Sequence, residues 1–191
     1  MRMPPDAITE DRAPTMGFSL RTQRLRLTWI LVIPFLWLAH PTPRSLLLGG
    51  LLALPGLFLR AAASGHILKD RILAVAGPYA SLRHPLYLGS FLMGAGMVTA
   101  GGRWILGPLY AGLFVWIYGR TIRAEERELV VRFGDEYREY RRRVPAFLPR
   151  WGGGGSWDFR LARFLGNREW EADLGFVGGL GLLWLKMVGF S

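Results

Sequence analysis

The residues best suited to chemistry lie in one short stretch between two apolar runs. Residues 77–89 include the phenols of Tyr79 and Tyr87 and, between them, the triplet Arg83-His84-Pro85. Polar groups next to the hydrocarbon of a bilayer are costly, and they usually serve a ligand, a proton or a transport pathway. The stretch is therefore the first candidate for a functional site.

A second polar group follows a later apolar run and supplies carboxylates, in the pair Glu125-Glu126. The dipeptide Gly101-Gly102 predicts a turn between the two apolar runs, which brings the start of one beside the end of the other. We therefore expect Arg83 and His84 to approach Arg123 and the two glutamates. Each motif alone also has a structural interpretation, since Pro85 can begin a helix and a Glu-Glu pair among arginines can be a solvated helix face.

The elements that must position these groups are apolar segments close to the length of membrane-spanning helices. A spanning helix needs about 20 residues. The five segments are approximately Leu25–Ala39, Leu46–Ala63, Leu86–Ala100, Trp104–Gly119 and Leu174–Phe190. They predict an all-α, multi-pass transmembrane bundle with about five spans.

The distribution of charge predicts the orientation of these spans. The net charge is +10. The chain has 24 Lys and Arg residues. If the N-terminus faces the cytoplasm, all of them lie on that side except Arg44, Arg103 and Lys186. The positive-inside rule then predicts that the N-terminus is inside and the C-terminus outside. This placement disfavours a nucleic-acid partner and favours membrane lipids.

The remaining composition excludes several kinds of chemistry. The chain has no Cys, which excludes disulfides, thiolate metal sites and cysteine catalysis, and its three His disfavour a histidine-rich metal centre. We therefore predict no bound metal.

The chain is predicted to form one membrane domain, residues 21–191, after a cytoplasmic tail of residues 1–20. Within it we distinguish a core (65–149), a flexible linker (151–156) and a final part (157–191) with an interfacial helix and the last span. Between the fourth span and the linker, Leu129, Val130, Phe133 and Tyr137 recur at helical spacing and predict a cytoplasmic helical segment. Small residues in the last span, Gly175 to Gly179, favour close packing within the molecule, with a homodimer contact as the alternative.

Several motifs in fixed order resemble the isoprenylcysteine carboxyl methyltransferases and related phospholipid methyltransferases. They are Gly77-Pro78-Tyr79, Arg83 to Gly89, Glu125 to Leu129, Phe133 to Tyr140 and Arg143-Val144-Pro145, within about residues 65–149. The resemblance implies S-adenosylmethionine bound without a Rossmann domain. The cofactor contacts it implies are Arg71, Ile72, Leu73, Ala74, Tyr79, His84, Pro85, Leu86, Tyr87 and Glu125, with Glu125 accepting from the methionine amino group.

The resemblance also indicates a reaction, the transfer of a methyl group to a lipophilic acceptor at the cytoplasmic face. For an amine or hydroxyl acceptor, His84 or Glu126 is the candidate catalytic base. In the enzymes acting on prenylated cysteine, an Arg four residues before the Glu holds the substrate carboxylate, but this chain has Thr121 there. Arg83, Arg120 and Arg123 are the candidate substrate-binding residues. The acceptor stays open between a carboxylate, an amine and a hydroxyl, and the alternative function is a non-catalytic lipid-binding or assembly scaffold.

Overall fold

The computed structural model describes residues 32–67, 72–150, 156–168 and 170–189. The chain divides into two compact units, Met1–Trp37 and Leu38–Ser191. In the first unit, residues 32–37 are helical, and the helix ends at residue 38. Residues 25–31 of the predicted span Leu25–Ala39, the predicted tail 1–20 and the glycines of the predicted linker lie outside the described residues.

The second unit is built from helices, and the described ranges contain no strand. The helices are α1 (Pro43–His66), α2 (Pro78–Ser81), α3 (Pro85–Ala100), α4 (Leu106–Arg143), α5 (Leu161–Gly166) and α6 (Trp170–Gly189). The all-α prediction is therefore confirmed. Among the described residues, α1 and α6 are long and apolar enough to cross a membrane, and α3 is a shorter apolar helix. The count of about five spans and the orientation stay predictions.

The first long helix begins at a complete N-terminal cap. Thr42 Oγ1 accepts a hydrogen bond from Ser45 N at 3.1 Å, and Ser45 Oγ accepts one from Thr42 N at 2.9 Å. This reciprocal capping box satisfies two amide groups that the first turn leaves unpaired. Pro43 then occupies the first turn, where its missing N–H costs nothing. The cap therefore fixes the start of α1 at Pro43.

Glycines allow α1 and α3 to pack at close range. A Cβ atom on Gly56 would lie 2.6 Å from the carbonyl oxygen of Gly89, and one on Gly96 would lie 2.7 Å from Ala53 Cβ. Ala53, Met93 and Phe176 then form a buried cluster that joins these two helices to α6. Small residues at such a contact gain van der Waals packing between helix backbones. The close contact fixes α3, which carries Arg83-His84 at its N-terminal end.

The predicted fourth span and the predicted cytoplasmic segment form one long helix, α4, of 38 residues. The backbone departs from helical geometry only at Gly134, with φ 54° and ψ −124°. A residue with a side chain rarely adopts a positive φ, so glycine suits this break. Tyr137, on the predicted apolar face, is only 1% exposed. The helical pattern is confirmed, and the break at Gly134 was not predicted.

The final part differs from the predicted interfacial helix. Residues 156–160 are not helical, and α5 begins at Leu161, so Trp157 does not share a helical face with Leu161. Arg160 N instead donates to Gly65 O at 3.1 Å, which ties this segment to the end of α1. In α6, a Cβ atom on Gly179 would collide with Met97 of α3, so this glycine serves packing within the chain.

Candidate active site

The segment that follows α4 holds the Arg-His pair in place through backbone hydrogen bonds. Arg83 N donates to Pro145 O at 2.9 Å, and His84 N donates to Ala146 O at 3.3 Å. Arg150 N donates to Ser81 O at 2.9 Å, farther along the same segment. The Arg143-Val144-Pro145 motif thus ends α4 and returns the chain to the residues just before α3.

Glu126 joins the two polar stretches that the sequence analysis predicted to meet. Its Oε1 accepts from Arg83 Nη1 at 2.5 Å and from His84 Nε2 at 3.1 Å. Arg141 Nη2 lies 3.7 Å from Glu126 Oε2. The side chains of Glu126, Arg83 and His84 are only 14%, 11% and 3% exposed, so solvent screens this cluster weakly. Because a carboxylate only accepts, His84 carries its proton on Nε2.

The neighbouring Glu125 has a different partner. Tyr87 Oη donates to Glu125 Oε2 at 2.8 Å, across the α3–α4 contact. The Tyr87 ring packs against the Tyr118 ring at 5.4 Å and the His84 ring at 5.7 Å. The ion pairs among the described residues do not include Glu125. Its carboxylate is therefore oriented by a neutral phenol and set among aromatic rings.

Two tyrosines near the end of α4 support the segment before α3. Tyr140 Oη donates to Tyr79 O at 2.7 Å. Burial, followed by the neighbouring Tyr137, raises the pKa of the Tyr140 phenol. Burial, followed by the Glu126 charge, also raises the pKa of the Tyr137 phenol. Tyr140 therefore stays protonated at neutral pH and keeps its hydrogen bond to the Tyr79 carbonyl.

The structure separates the predicted site residues into two groups. It brings together Arg83, His84, Tyr87, Glu125 and Glu126, as described above. Tyr79 and Pro85 are buried beside them, and Leu86 is partly buried on the first turn of α3.

The other predicted residues have varied environments. Leu73 is buried, Ala74 partly buried and Ile72 exposed, whereas Arg71 lies outside the described residues. Arg120 and Arg123 are exposed on α4. Arg83 is held in the ion pair with Glu126, a contact that favours a structural role over its predicted role in substrate binding.

Three residues at the site were missed by sequence reasoning. Tyr118 lies two helical turns before Glu125, and this seven-residue spacing was a usable signal for a shared face. Arg141 belonged to an arginine run that gave no reason to single it out. Phe147, whose ring lies 6.2 Å from the His84 ring, is placed by the returning backbone, which has no local sequence pattern.

The fold and the site define a class of protein. It is a helical chain with apolar helices of membrane-spanning length and a largely buried cluster of carboxylates, imidazole and phenols between the start of α3 and the middle of α4. Comparison with curated proteins finds isoprenylcysteine methyltransferases. The chain is 38% identical over 82 residues to the protein-S-isoprenylcysteine O-methyltransferase of Schizosaccharomyces pombe, covering 42% of this chain and 34% of that enzyme.

Two further relatives extend the comparison. The protein-S-isoprenylcysteine O-methyltransferase of Homo sapiens is 34% identical over 120 residues, covering 59% of this chain and 42% of that enzyme. The cobalt-zinc-cadmium resistance protein CzcN of Cupriavidus metallidurans is 36% identical over 104 residues, covering 52% of this chain and 47% of that protein. No family model and no solved structure matches the chain.

These similarities confirm the resemblance inferred from the motifs. The chain is similar to protein-S-isoprenylcysteine O-methyltransferases over about half of its own length. It spans between a third and a half of the length of the curated relatives compared above. Two of those relatives are named as O-methyltransferases, and the third is named for metal resistance.

Proposed function

We propose that the protein is an integral-membrane methyltransferase that uses S-adenosylmethionine and acts on a lipophilic acceptor. The observation that carries the proposal is the pair of contacts between α3 and α4, Tyr87 with Glu125 and His84 with Glu126. These contacts join the two motifs on which the resemblance rests. A site assembled across two helices, with each glutamate oriented by donors from the facing segment, supports an enzyme over a scaffold that has lost its activity.

The residues present fit this cofactor by charge. S-Adenosylmethionine carries an ammonium group and a sulfonium group, and both are cationic. Glu125 is a carboxylate that the described ion pairs leave unneutralised, and it is the candidate partner for the ammonium. Tyr87, which donates to Glu125, packs its ring against Tyr118, and such aromatic rings suit a sulfonium because aromatic faces attract cations.

The cofactor supplies a methyl group that is already electrophilic, so the protein needs mainly to align the acceptor and exclude water.

Glu126 accepts hydrogen bonds from Arg83 and His84, and this geometry favours an orienting role for Glu126 over a catalytic one. His84 holds its proton on Nε2, and in the neutral ring Nδ1 is the nitrogen able to take a proton from an amine or hydroxyl acceptor. A carboxylate or thiolate acceptor requires no base.

The acceptor is proposed to enter from the bilayer. The apolar helices α1 and α6 expose large hydrophobic side chains, among them Leu48, Phe58, Val177 and Trp184, which suits contact with lipid. The distribution of basic residues supports an active site on the cytoplasmic side, where the cofactor is soluble. Thr121 donates to the Ile117 carbonyl of its own helix at 3.2 Å. It supplies no guanidinium for a carboxylate, so the acceptor class stays open.

Two measurements test the proposal on the full-length protein in detergent or native membranes. First, S-adenosylhomocysteine should bind the wild type at micromolar concentration and bind Glu125→Gln at least about tenfold more weakly, because a charge-assisted hydrogen bond to the ammonium is lost. Second, membranes incubated with methyl-labelled S-adenosylmethionine should transfer label to a lipid or lipid-modified fraction. Wild-type protein that binds no cofactor and transfers no label would favour the scaffold.

A further inference from the structure

We propose that His66 binds the nucleoside part of the methyl donor, with Nε2 accepting a hydrogen bond from an adenine amino group or a ribose hydroxyl. This inference rests on the proposed function and adds a residue that neither the motifs nor the family resemblance assigned. His66 is the last residue of α1, outside the two polar stretches already described.

The one hydrogen bond of His66 selects the tautomer of its neutral ring. Its Nδ1 lies 2.7 Å from the carbonyl oxygen of Ala62, one turn earlier in α1. A carbonyl only accepts, so Nδ1 carries the proton and the neutral ring presents a lone pair on Nε2. His66 is only 7% exposed, and Nε2 is buried without a hydrogen-bond partner. Most buried polar groups are paired, so an unpaired acceptor in a well-packed place indicates a missing donor.

The edge of the imidazole that carries Nε2 packs against the segment that leads to Tyr79. A Cβ atom on Gly77 would collide with Nε2 and Cδ2 of His66, so the ring lies directly over this glycine. Gly77 has φ +57°, a backbone conformation that residues with a side chain rarely adopt. The segment continues into Pro78 and the buried Tyr79. Nε2 thus lies against Gly77, two residues before Tyr79.

The remaining neighbours of His66 favour a nucleoside. The ring packs edge-on against Trp157 at 4.7 Å and lies 6.2 Å from the Phe159 ring. Aromatic side chains provide flat apolar surface for a purine, and adenosine offers both amino and hydroxyl donors. The ammonium of the cofactor is assigned to Glu125 on α4, which accepts a hydrogen bond from Tyr87 on α3. A metal ion is disfavoured, because the described residues contain no group of three His, Cys, Asp or Glu placed to hold one.

The experiment compares two ligands on matched variants of the full chain in detergent. S-Adenosylhomocysteine contains the nucleoside and the amino acid, whereas methylthioadenosine contains the nucleoside only. His66→Phe keeps an aromatic ring and removes the acceptor, and His66→Gln restores an acceptor. We expect His66→Phe to bind both ligands about five- to tenfold more weakly than the wild type, and His66→Gln to recover part of the loss. Glu125→Gln should weaken only S-adenosylhomocysteine. His40→Phe, an exposed histidine next to Arg103, is the control and should change neither affinity.

Each other result has a defined meaning. If the wild type binds neither ligand, the proposed function itself fails. If the wild type binds both and His66→Phe binds them equally well, the role of His66 is overturned. Weakened binding of S-adenosylhomocysteine alone would place the contact on the amino-acid part and would also overturn it. A second test uses only the wild type and so does not depend on the folding of a variant. It compares methylthioadenosine with analogues that lack the N6 hydrogens or the ribose hydroxyls, and at least one analogue should bind more weakly than methylthioadenosine. If all of them bind equally well, the proposal is wrong.

Discussion

Replacing Glu126 with Gln should destabilise the protein substantially, because Glu126 is the acceptor for two buried donors. Removing one partner of a buried ion pair costs about 3–5 kcal/mol, and a hydrogen bond to a charged group contributes about 1.5–3 kcal/mol. The side chains of Glu126 and Arg83 keep 14% and 11% exposure, and Gln retains one acceptor oxygen. These features place the expected loss at about 2–3 kcal/mol. For a chain of this size that corresponds to a decrease in Tm of roughly 5–10 °C.

The assay is thermal unfolding of purified variants in one detergent, with Glu128→Gln as the matched control. Glu128 lies on the same helix and pairs with Arg132 at 3.0 Å, but its side chain is 67% exposed. Exposed pairs of this spacing contribute about 0.3–0.5 kcal/mol, so the control should change Tm by less than about 2 °C. Equal Tm values for Glu126→Gln and Glu128→Gln would refute the reasoning, since burial would then have no effect on the strength of these contacts.

Three further predictions concern packing, pH and the acceptor. Gly56→Val should lower the unfolding free energy by at least about 2 kcal/mol in denaturant titrations, because its side chain would meet the α3 backbone, whereas Gly50→Val, with open space around it, should be tolerated. The raised pKa of Tyr140 means that the folded state keeps this proton longer than the unfolded state, so its contribution to stability is complete below about pH 10 and is lost above it. Tm scans from pH 8 to 12 should therefore fall less steeply for Tyr140→Phe than for the wild type; parallel curves would contradict this. Thr121→Arg should raise turnover of a short prenylcysteine substrate in a labelled-methyl assay; an unchanged rate would show that this position does not contact the acceptor carboxylate.

The meeting of the two polar stretches could be predicted from sequence because its cause is local. Gly101-Gly102 predicted a turn, and the apolar runs on both sides predicted antiparallel helices. In the structure α3 and α4 do bring His84 to Glu126 and Tyr87 to Glu125. The finer pairing was not predicted, because it depends on the rotation of each helix about its axis. A rotation of 100° separates adjacent residues on a helix and decides which glutamate meets which partner.

Contacts formed by irregular backbone could not be predicted from the sequence. The hydrogen bond from Arg83 N to Pro145 O joins segments 62 positions apart, and no periodicity in residues 144–150 indicates it. The same holds for Trp157, which was predicted on a helix but lies in an extended segment against His66. The hydrogen bond from Arg160 N to Gly65 O ties this segment to the end of α1, and the helix begins only at Leu161.

The two adjacent glutamates show how one helix can supply two electrostatic environments. Glu126 faces Arg83 and His84, with Arg141 nearby, so its charge is matched by cations of the protein. Glu125, one residue earlier, accepts from the neutral Tyr87 phenol, whose ring packs against Tyr118. A partly buried carboxylate without a cationic partner is costly when nothing binds there. The cost is reduced when the ligand itself brings the cation. The difference between these neighbours therefore supports the proposal that a cationic cofactor binds here, with Glu125 as its partner.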